Sequence, residues 1–477
     1  MSFALKRTRT VEYDPRDIGE SRRLVRGEDE EYDSSDTSSD YGVSEHINLE
    51  RVHDVQFRTC SWQKTAGLLF SEYISLAVLT FPWAFSIVGI VPGVIMTVIC
   101  AASVQYTSLI LWRLCLKHPE IRDGCDVALV IFGGSRFAYH FTSVMFILCN
   151  VFIQAIHCLI GAELLNTLSG SSACTVAFSA ITAAVCFVFS LPRTLDQLSW
   201  FGIFSAMMMT IAGLLVVVFS ATQDQPVGFT GEAPTVTLWP LSGTTYVYAM
   251  SAFLNISYAL VGQITLPTFI AEMENPNDFP KALWACTISE VVLFSLTGII
   301  VYNYTGNQYI VSPALGSLQP AFKKIAFCFT IPTIIYIGAL YSSVTARFVF
   351  FRIFHDSEHK HANTVQAWTT WTGIIAVTWI IAFVIAEAIP FFSDLLSLMS
   401  SLFGEFIFWG MSYLVLYPRG SRWSSPLRKA ETMLNYFLIV FGFYITGAGT
   451  YVSVLSIVEK YKAGDVGKPF TCKSNAL

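Results

Sequence analysis

The sequence predicts an all-α polytopic membrane protein with eleven transmembrane helices arranged as a 5+5 inverted repeat. Of its 477 residues, 53% are hydrophobic and only 13% are charged. The apolar residues form blocks of about 20, the length that crosses a bilayer as a helix. The first and sixth blocks are interrupted by polar residues and a proline. Transmembrane β-strands would show short alternating segments, which this sequence lacks.

Composition also narrows the class of function. The net charge of −5, with no basic cluster, argues against a nucleic-acid partner. The 11 cysteines are scattered, mostly inside apolar blocks, which predicts packing roles instead of a disulfide framework. We find no nucleophile elbow, nucleotide-binding loop or credible metal cluster, so we expect neither an enzyme, nor a metal site, nor an organic cofactor.

Three regions are predicted along the chain. Residues 1–59 are charge-rich and include a run of Asp, Ser and Thr over 33–40, which predicts a disordered acidic cytoplasmic tail. This tail is a candidate for phosphorylation or regulatory partners, or it is simply solvated. Residues 60–458 form the transmembrane domain, in contact with the lipid bilayer. Residues 459–477 form a short extracytoplasmic C-terminal tail.

The eleven spans are predicted near 65–89, 91–112, 138–165, 174–192, 197–220, 244–271, 283–304, 325–346, 366–389, 391–417 and 431–456. Lys and Arg concentrate in the connections that follow the even-numbered spans, whereas the opposite loops contain only Lys323 and Lys324. Positive residues mark the cytoplasmic side. The N-terminus is therefore predicted to be cytoplasmic and the long 220–243 loop to lie outside.

The first span has a carboxylate near its middle, at Glu72, followed by a hydroxyl-bearing run up to Pro82. A charge at the centre of a bilayer costs about 2.5–3.5 kcal/mol even on a lenient scale, so such a residue usually faces a cavity. Proline opposes helix continuation through the preceding turn. The stretch predicts either a broken helix at a transport site or a proline-kinked helix whose glutamate is satisfied by a neighbour.

The sixth span repeats this interruption between Asn255 and Pro267. Breaks in the first helix of each half are typical of inverted-repeat transporters, with the substrate between them. Half-helix ends offer carbonyls to an ammonium group and N–H groups to a carboxylate, which favours an α-amino acid. Tyr258 and Gln263 are candidates to orient it, and Gly262 would allow close backbone approach.

Several residues are candidates for ion coupling, with Glu72 first among them. A hydroxyl cluster on the eighth span would coordinate sodium or hold a proton-linked water; its members are Ser342, Ser343 and Thr345. The alternative is that these hydroxyls bond back to their own helix. His157 would line the cavity and relay protons, or be a satisfied core histidine. Glu405 is a further buried acid. The H-x-x-E-H motif at 355–359 lies in a short loop, where a zinc site is not expected.

Four sequence blocks resemble the amino acid/auxin permease family, and a fifth in the tail resembles its fungal neutral amino acid permease branch. The blocks are residues 72–85 (EYISLAVLTFPWAF), 117–121 (KHPEI), 270–280 (IAEMENPNDFP), 386–396 (AEAIPFFSDLL) and 468–472 (KPFTC). The resemblance implies a fold similar to that of the bacterial leucine transporter and symport of neutral aliphatic and aromatic amino acids with protons. Sodium-coupled relatives leave the coupling ion open.

The family motif also implies which residues line the site. They are Glu72, Ser75, Leu76 and Ala77 at the first break, with Tyr258, Val261, Gly262 and Gln263 at the second. The resemblance implies the plasma membrane, with the vacuolar membrane as the alternative. A receptor that senses the same amino acids without moving them is the competing function.

The charge asymmetry makes a topology prediction. A protease-cleavable tag inserted near Gly231, in the 221–243 loop, should be cut in intact cells because this loop is predicted to lie outside. A tag in the 354–365 loop should be cut only after permeabilisation. Protection of the Gly231 tag in intact cells would overturn the orientation.

Overall fold

The computed structural model describes residues 60–193, 195–354, 364–403, 406–463 and 469–475. The predicted acidic tail, the H-x-x-E-H motif and Glu405 lie outside these described residues.

The described residues of the first half of the chain form seven α-helices. They are α1 (Trp62–Tyr73), α2 (Phe81–Val88), α3 (Ile90–Lys117), α4 (Gly124–Ile131), α5 (Arg136–Ser169), α6 (Thr175–Ser190) and α7 (Leu195–Thr222). A short 3-10 turn, Leu76–Thr80, stands between α1 and α2. The short α4 lies in the connection that is predicted to be cytoplasmic, where an Asp123 capping box begins it.

The second half continues the helical pattern. Its helices are α8 (Tyr246–Leu260), α9 (Leu266–Glu272), α10 (Phe279–Tyr309), α11 (Pro320–Ile353), α12 (Val365–Ala388), α13 (Phe392–Phe403), α14 (Phe406–Leu416), α15 (Pro426–Tyr444) and α16 (Thr450–Ala463). A single turn, Arg419–Arg422, precedes α15, and a π-helical turn, Ile445–Gly449, joins α15 to α16.

Length and apolar composition identify the membrane spans. Among the described residues, seven uninterrupted helical segments are long and apolar enough to cross a bilayer, and α1 with α2 makes an eighth that is bent by 46°. The chain is therefore an all-helical polytopic membrane protein. The predicted sixth and tenth spans are each divided into two helices, and the predicted fourth is the 16-residue α6. Such short pieces do not reach the length of a full span.

The distribution of side chains fits a bilayer as solvent. Large apolar residues face outward along the helices, with Phe137 80% exposed. Polar groups are instead buried within the bundle, where other protein groups can satisfy them. Buried examples are Asn150, Gln154, Asn255 and Thr330. This reversal of the soluble pattern places the polar chemistry at the centre of the protein.

The prediction that the cysteines serve as packing residues is wrong for one pair. Cys174, at the start of α6, forms a disulfide with Cys472 in the C-terminal tail. The tail segment also bonds to the α5–α6 region, since Thr175 donates to the Lys473 carbonyl at 2.9 Å. The two cysteines are 298 residues apart in sequence, so their spacing carried no signal of the pairing.

Packing between helices brings the two broken spans together. α10 packs along both α1 and α2, and α8 packs on α2 and α13. On the other side, α11 packs against α5 and α7. The pieces of the first and sixth spans therefore lie in contact at the middle of the bundle.

Candidate functional site at the two helix breaks

The first break lies between α1 and α2. α1 ends at Tyr73, and Ser75 adopts an extended backbone with φ −110° and ψ −179°. The Ser75 hydroxyl accepts a hydrogen bond from the Ala77 N–H at 3.3 Å and so caps the following 3-10 turn. α2 then begins at Phe81, with Pro82 in its first turn, where a missing N–H costs nothing. The break thus comes earlier than Pro82, at residues that leave the helix through a serine cap.

The second break lies between α8 and α9. Val261 ends α8 with an extended backbone, φ −99° and ψ 129°, and α9 begins at Leu266 with Pro267 in its first turn. Thr265 folds back and donates its hydroxyl to the Gly262 carbonyl at 2.8 Å. Both broken spans therefore restart on a proline after a hydroxyl-stabilised turn.

The two breaks touch each other at Gly262. A Cβ atom added there would stand 2.4 Å from Cε1 of Tyr73, the last residue of α1. The absence of a side chain at 262 is what permits this approach of the Tyr73 ring to the α8 end. The predicted role of Gly262, close approach, thus involves a neighbouring helix.

Glu72 joins three elements at the same place. Its carboxyl group accepts a 2.6 Å hydrogen bond from the Tyr341 hydroxyl of α11 and a 3.3 Å bond from the Thr265 hydroxyl at the second break. The side chain is buried, with 8% of the residue exposed. Among the described residues, it forms no ion pair. No cation of the described residues balances its charge, which leaves that role to a proton, a coupling cation or a cationic group of a ligand.

A cavity of about 80 Å³ opens beside this carboxyl group. A single water needs roughly 10–15 Å³ of such space, so there is room for more than one small group. Its lining is mostly apolar and aromatic, with Glu72 providing the acidic group. The lining residues are Glu72, Tyr73, Ser75, Cys149, Ile153, His157, Tyr258, Ala259, Val261, Gly262, Ile264, Ile337, Tyr341, Met399, Ser400 and Phe403.

Three of the predicted lining residues lie outside this cavity. Leu76 and Ala77 are buried in the hydrophobic core around the 3-10 turn. The Gln263 amide points to α3, where its Nε2 donates to the Thr107 hydroxyl at 2.7 Å and to the Val104 carbonyl at 3.2 Å. The structure thus ties Gln263 to the second span and leaves Glu72, Ser75, Tyr258, Val261 and Gly262 at the cavity.

The three hydroxyls of the α11 cluster bond to neighbouring helices or to α11 itself. The Ser342 hydroxyl lies 3.4 Å from the Thr378 hydroxyl of α12, and the Ser343 hydroxyl donates to the Ser190 carbonyl of α6 at 3.2 Å. Thr345 bonds back to the Tyr341 carbonyl at 2.9 Å. None of the three lines the described cavity.

His157 lies at the cavity and is also bonded to its own helix, while its predicted part in proton relay stays a prediction. It lines the cavity, while its Nδ1 lies 2.7 Å from the Ile153 carbonyl of its own helix. That bond satisfies one ring nitrogen locally.

Sequence reasoning missed Tyr341, the closest partner of Glu72. Tyr341 directly precedes the predicted hydroxyl cluster, but adjacent helical residues point about 100° apart. Ile337 lies four residues earlier and lines the same cavity. The four-residue spacing of Ile337 and Tyr341 places them on one face of the helix. The sequence does not say that this face meets Glu72.

Two broken spans that meet at a buried carboxyl group, inside a bundle of membrane-crossing helices, define a membrane transporter. The model of the transmembrane amino acid transporter protein family matches residues 58–455 of this chain. The chain therefore belongs to this family, the amino acid/auxin permeases, which confirms the resemblance of its motifs. It is an amino acid transporter and not an enzyme.

Individual comparisons agree with this assignment. The N amino acid transport system protein of Neurospora crassa is 31% identical over 422 residues, covering 87% of this chain and 89% of that protein. A substrate-bound, outward-open Na⁺-coupled sialic acid symporter matches the fold with a TM-score of 0.51 at 12% identity, covering 87% of this chain and 95% of that one. The structure of MhsT in complex with L-phenylalanine matches with a TM-score of 0.50 at 12% identity, covering 85% of this chain and 99% of that one. At these identities the two structures establish the fold alone, which is that of the leucine-transporter type.

The contact at Gly262 makes a packing prediction. Gly262→Ala should destabilise the protein by about 1–3 kcal/mol, because the new methyl group would overlap the buried Tyr73 ring. The measurement is thermal unfolding of the detergent-purified protein.

Gly67→Ala in α1 is the matched control, because a Cβ there has no atom within 4 Å. This control should unfold at or slightly above the wild-type temperature, since alanine favours a helix. Combining Gly262→Ala with Tyr73→Leu should recover part of the lost stability. Wild-type unfolding of Gly262→Ala alone would contradict the close contact.

Proposed function

We propose that this protein is a secondary active transporter that moves neutral aliphatic and aromatic amino acids together with protons by alternating access. The single observation that carries the proposal is Glu72, a buried carboxyl group at the junction of both breaks, bonded by Tyr341 and Thr265. A fixed acid at that point can bind a substrate ammonium group or carry a proton. The two occupants have the same charge, so their exchange at one carboxyl group is a direct means of coupling.

The proposed architecture has eleven spans, ten of them in two inverted repeats of five. The two halves break at corresponding helices, α1–α2 and α8–α9, and each break restarts on a proline. The shorter helices α6, α8–α9 and α13–α14 then complete the fourth, sixth and tenth spans. The leucine-transporter-type fold supports this arrangement.

The predicted orientation agrees with the position of the disulfide. Cys174 and Cys472 lie in segments that are both predicted to be extracytoplasmic, and disulfides persist on the oxidising side of a membrane. This supports a cytoplasmic N-terminus. The plasma membrane is the proposed location, with the vacuolar membrane as the alternative.

The cavity lining supports neutral substrates. Around Glu72 it presents Ile153, Val261, Ile337 and Met399, which suit an apolar side chain. Burying a second, unpaired charge among them would cost several kcal/mol. The relative from Neurospora crassa is named for N amino acid transport, and MhsT was solved with L-phenylalanine. Both names are consistent with neutral amino acids as the substrates.

Protons are proposed as the coupling ion, with sodium as the alternative. The hydroxyls of Ser342 and Ser343 are occupied by α12 and α6, and Thr345 bonds to its own helix, so the cluster does not face Glu72. This arrangement favours a carboxyl group over a hydroxyl cage as the ion site. One proton crossing 100 mV provides about 2.3 kcal/mol and one pH unit about 1.4, together enough for several-hundred-fold accumulation.

A receptor that senses amino acids without moving them is the second candidate. It would use the same cavity and signal through the N-terminal tail. Purified protein in proteoliposomes separates the two, because a receptor would give saturable binding without accumulation of labelled substrate inside the vesicles.

The cavity lining predicts which amino acids compete for uptake. Phenylalanine, tryptophan and leucine should compete with a labelled neutral substrate, whereas lysine and aspartate should not, because their side-chain charges would be unpaired. The measurement is competition across the common amino acids. Competition by lysine equal to that by leucine would contradict the apolar cavity.

The position of Glu72 predicts the effect of neutralising it. Glu72→Gln should retain substrate exchange with a raised KM, because the substrate ammonium group loses its counter-charge, and should lose accumulation driven by a pH gradient, because glutamine keeps the shape and cannot carry a proton. The measurement compares counterflow with gradient-driven uptake in proteoliposomes. Tyr341→Phe is the control: it removes one hydrogen bond to the carboxyl group while leaving the group titratable, so pH-driven accumulation should persist. An unchanged pH dependence in Glu72→Gln would move the proton to another residue, with His157 and Glu405 next.

A further inference from the structure

A second glutamate is buried in the membrane region next to the first break. Glu290 of α10 is 4% exposed. Among the described residues, its hydrogen-bond partner is the Cys286 thiol of the same helix, which donates at 3.0 Å, and no cation pairs with it. A buried ionisable group without a counter-charge is costly inside a membrane, so it indicates a functional role.

Glu290 and Glu72 lie at similar depths. Glu72 is about 15 Å along α1 from Trp62, and Glu290 is about 16 Å along α10 from Phe279, at 1.5 Å per residue. Both helices begin on the side predicted to be cytoplasmic, and the hydrocarbon core is about 30 Å thick. Both carboxyl groups therefore lie near the middle of the bilayer.

Cys286 lies one turn from Glu290 on α10 and belongs to the same buried hydrophobic cluster as Tyr73, the residue after Glu72. It donates to Glu290, and α10 packs along α1. The helices packed on α10 are α1, α2, α3 and α7. The titratable or charged groups on their described residues are Lys64, Glu72, Tyr73, Cys100, Tyr106, Arg113, Cys115 and Lys117. Of these, Glu72 is the acid, and it adjoins Tyr73, which shares a buried cluster with Cys286.

A polar seam continues from Glu290 to the second break. Thr287, one residue after Cys286, donates to Gln105 Oε1 of α3 at 2.7 Å. Gln105 is 4% exposed, and its Nε2 has no hydrogen-bond partner among the described residues. Two residues later on α3, Thr107 accepts from Gln263. This unpaired buried donor on the seam provides a position for a bridging water.

We propose that Glu290 is the second proton-carrying residue of the transport cycle and exchanges one proton with Glu72 across Cys286. This inference rests on the proposed proton coupling. When the substrate ammonium group reaches Glu72, the Glu72 carboxyl group gives up its proton and becomes a carboxylate. Glu290, a carboxylate before the transfer, takes up that proton and becomes neutral.

The exchange keeps the charge of the pair constant. One proton is shared by two carboxyl groups, so the membrane interior holds one negative charge before and after the transfer. In the loaded state the substrate ammonium group balances that charge at Glu72, while the proton travels on Glu290. Substrate and proton then cross together because neither acid is left ionised without a partner.

The test compares gradient-driven accumulation with exchange in proteoliposomes of the full chain. Wild type should accumulate substrate about tenfold per pH unit. Glu290→Gln should lose this tenfold response yet exchange substrate within about twofold of wild type with an unchanged KM, since Glu290 does not line the cavity. Glu290→Asp should restore the pH response, because it remains titratable. Glu163→Gln, which neutralises a buried glutamate of α5 outside this cluster, should behave as wild type.

Each outcome decides a different question. Wild-type uptake that ignores the pH gradient would overturn the proposed function, and this inference with it. A coupled wild type with a fully coupled Glu290→Gln would overturn the inference alone. If Glu290→Gln does not fold, carbodiimide labelling of wild-type protein decides: Glu290 should be modified at low pH, and substrate should increase the modification by protonating it. Labelling at Glu290 that substrate leaves unchanged would overturn the proposal.

Discussion

The hydrogen bonds that converge on the Glu72 carboxyl group hold this site together. They join the end of α1 to α11 through Tyr341 and to the second break through Thr265. In water such bonds to a carboxylate would compete with solvent, but within the membrane the lipid offers no group to replace them. The first broken span therefore depends on two partners that come from distant parts of the chain. Any change in the occupancy of the carboxyl group acts on three elements at once.

Each helix break is stabilised by a hydrogen bond between a backbone group of the break and a hydroxyl side chain close to it in sequence. Ser75 caps the 3-10 turn through the Ala77 N–H, and Thr265 bonds to the Gly262 carbonyl, so each break has a backbone group that is satisfied by a nearby hydroxyl. The remaining approach between the spans depends on the missing side chain of Gly262 against Tyr73. A transporter of this type needs non-helical backbone at the breaks that is nevertheless held in one defined conformation. Here short hydroxyl side chains and one glycine supply that combination.

Outside the breaks, polar side chains are used for contact between helices. The Ser342 and Ser343 hydroxyls hold α11 against α12 and α6, and Gln263 holds the second break to α3. On the side predicted to be extracytoplasmic, the C-terminal tail is joined to α6 through Cys174 and Cys472. The helices around the broken spans are thus joined to one another by side-chain hydrogen bonds and by one disulfide. Such an arrangement suits a mechanism in which a few half-helices move and the rest stays in place.

The sequence by itself determined the membrane class, the helical composition, the family and the two interrupted spans. These properties are local: apolar length, an acid and a proline within one block can be read without knowing any neighbour. It also indicated Glu72, Ser75, Tyr258, Val261 and Gly262 as residues of the breaks, and these line the cavity. The tertiary structure alone decided which residues meet. Tyr341 reaches Glu72 from 269 positions away, Cys472 reaches Cys174 from 298, and Gln263 turns to α3. The direction of a side chain around a helix depends on how that helix is rotated against its neighbours, which a single sequence does not specify.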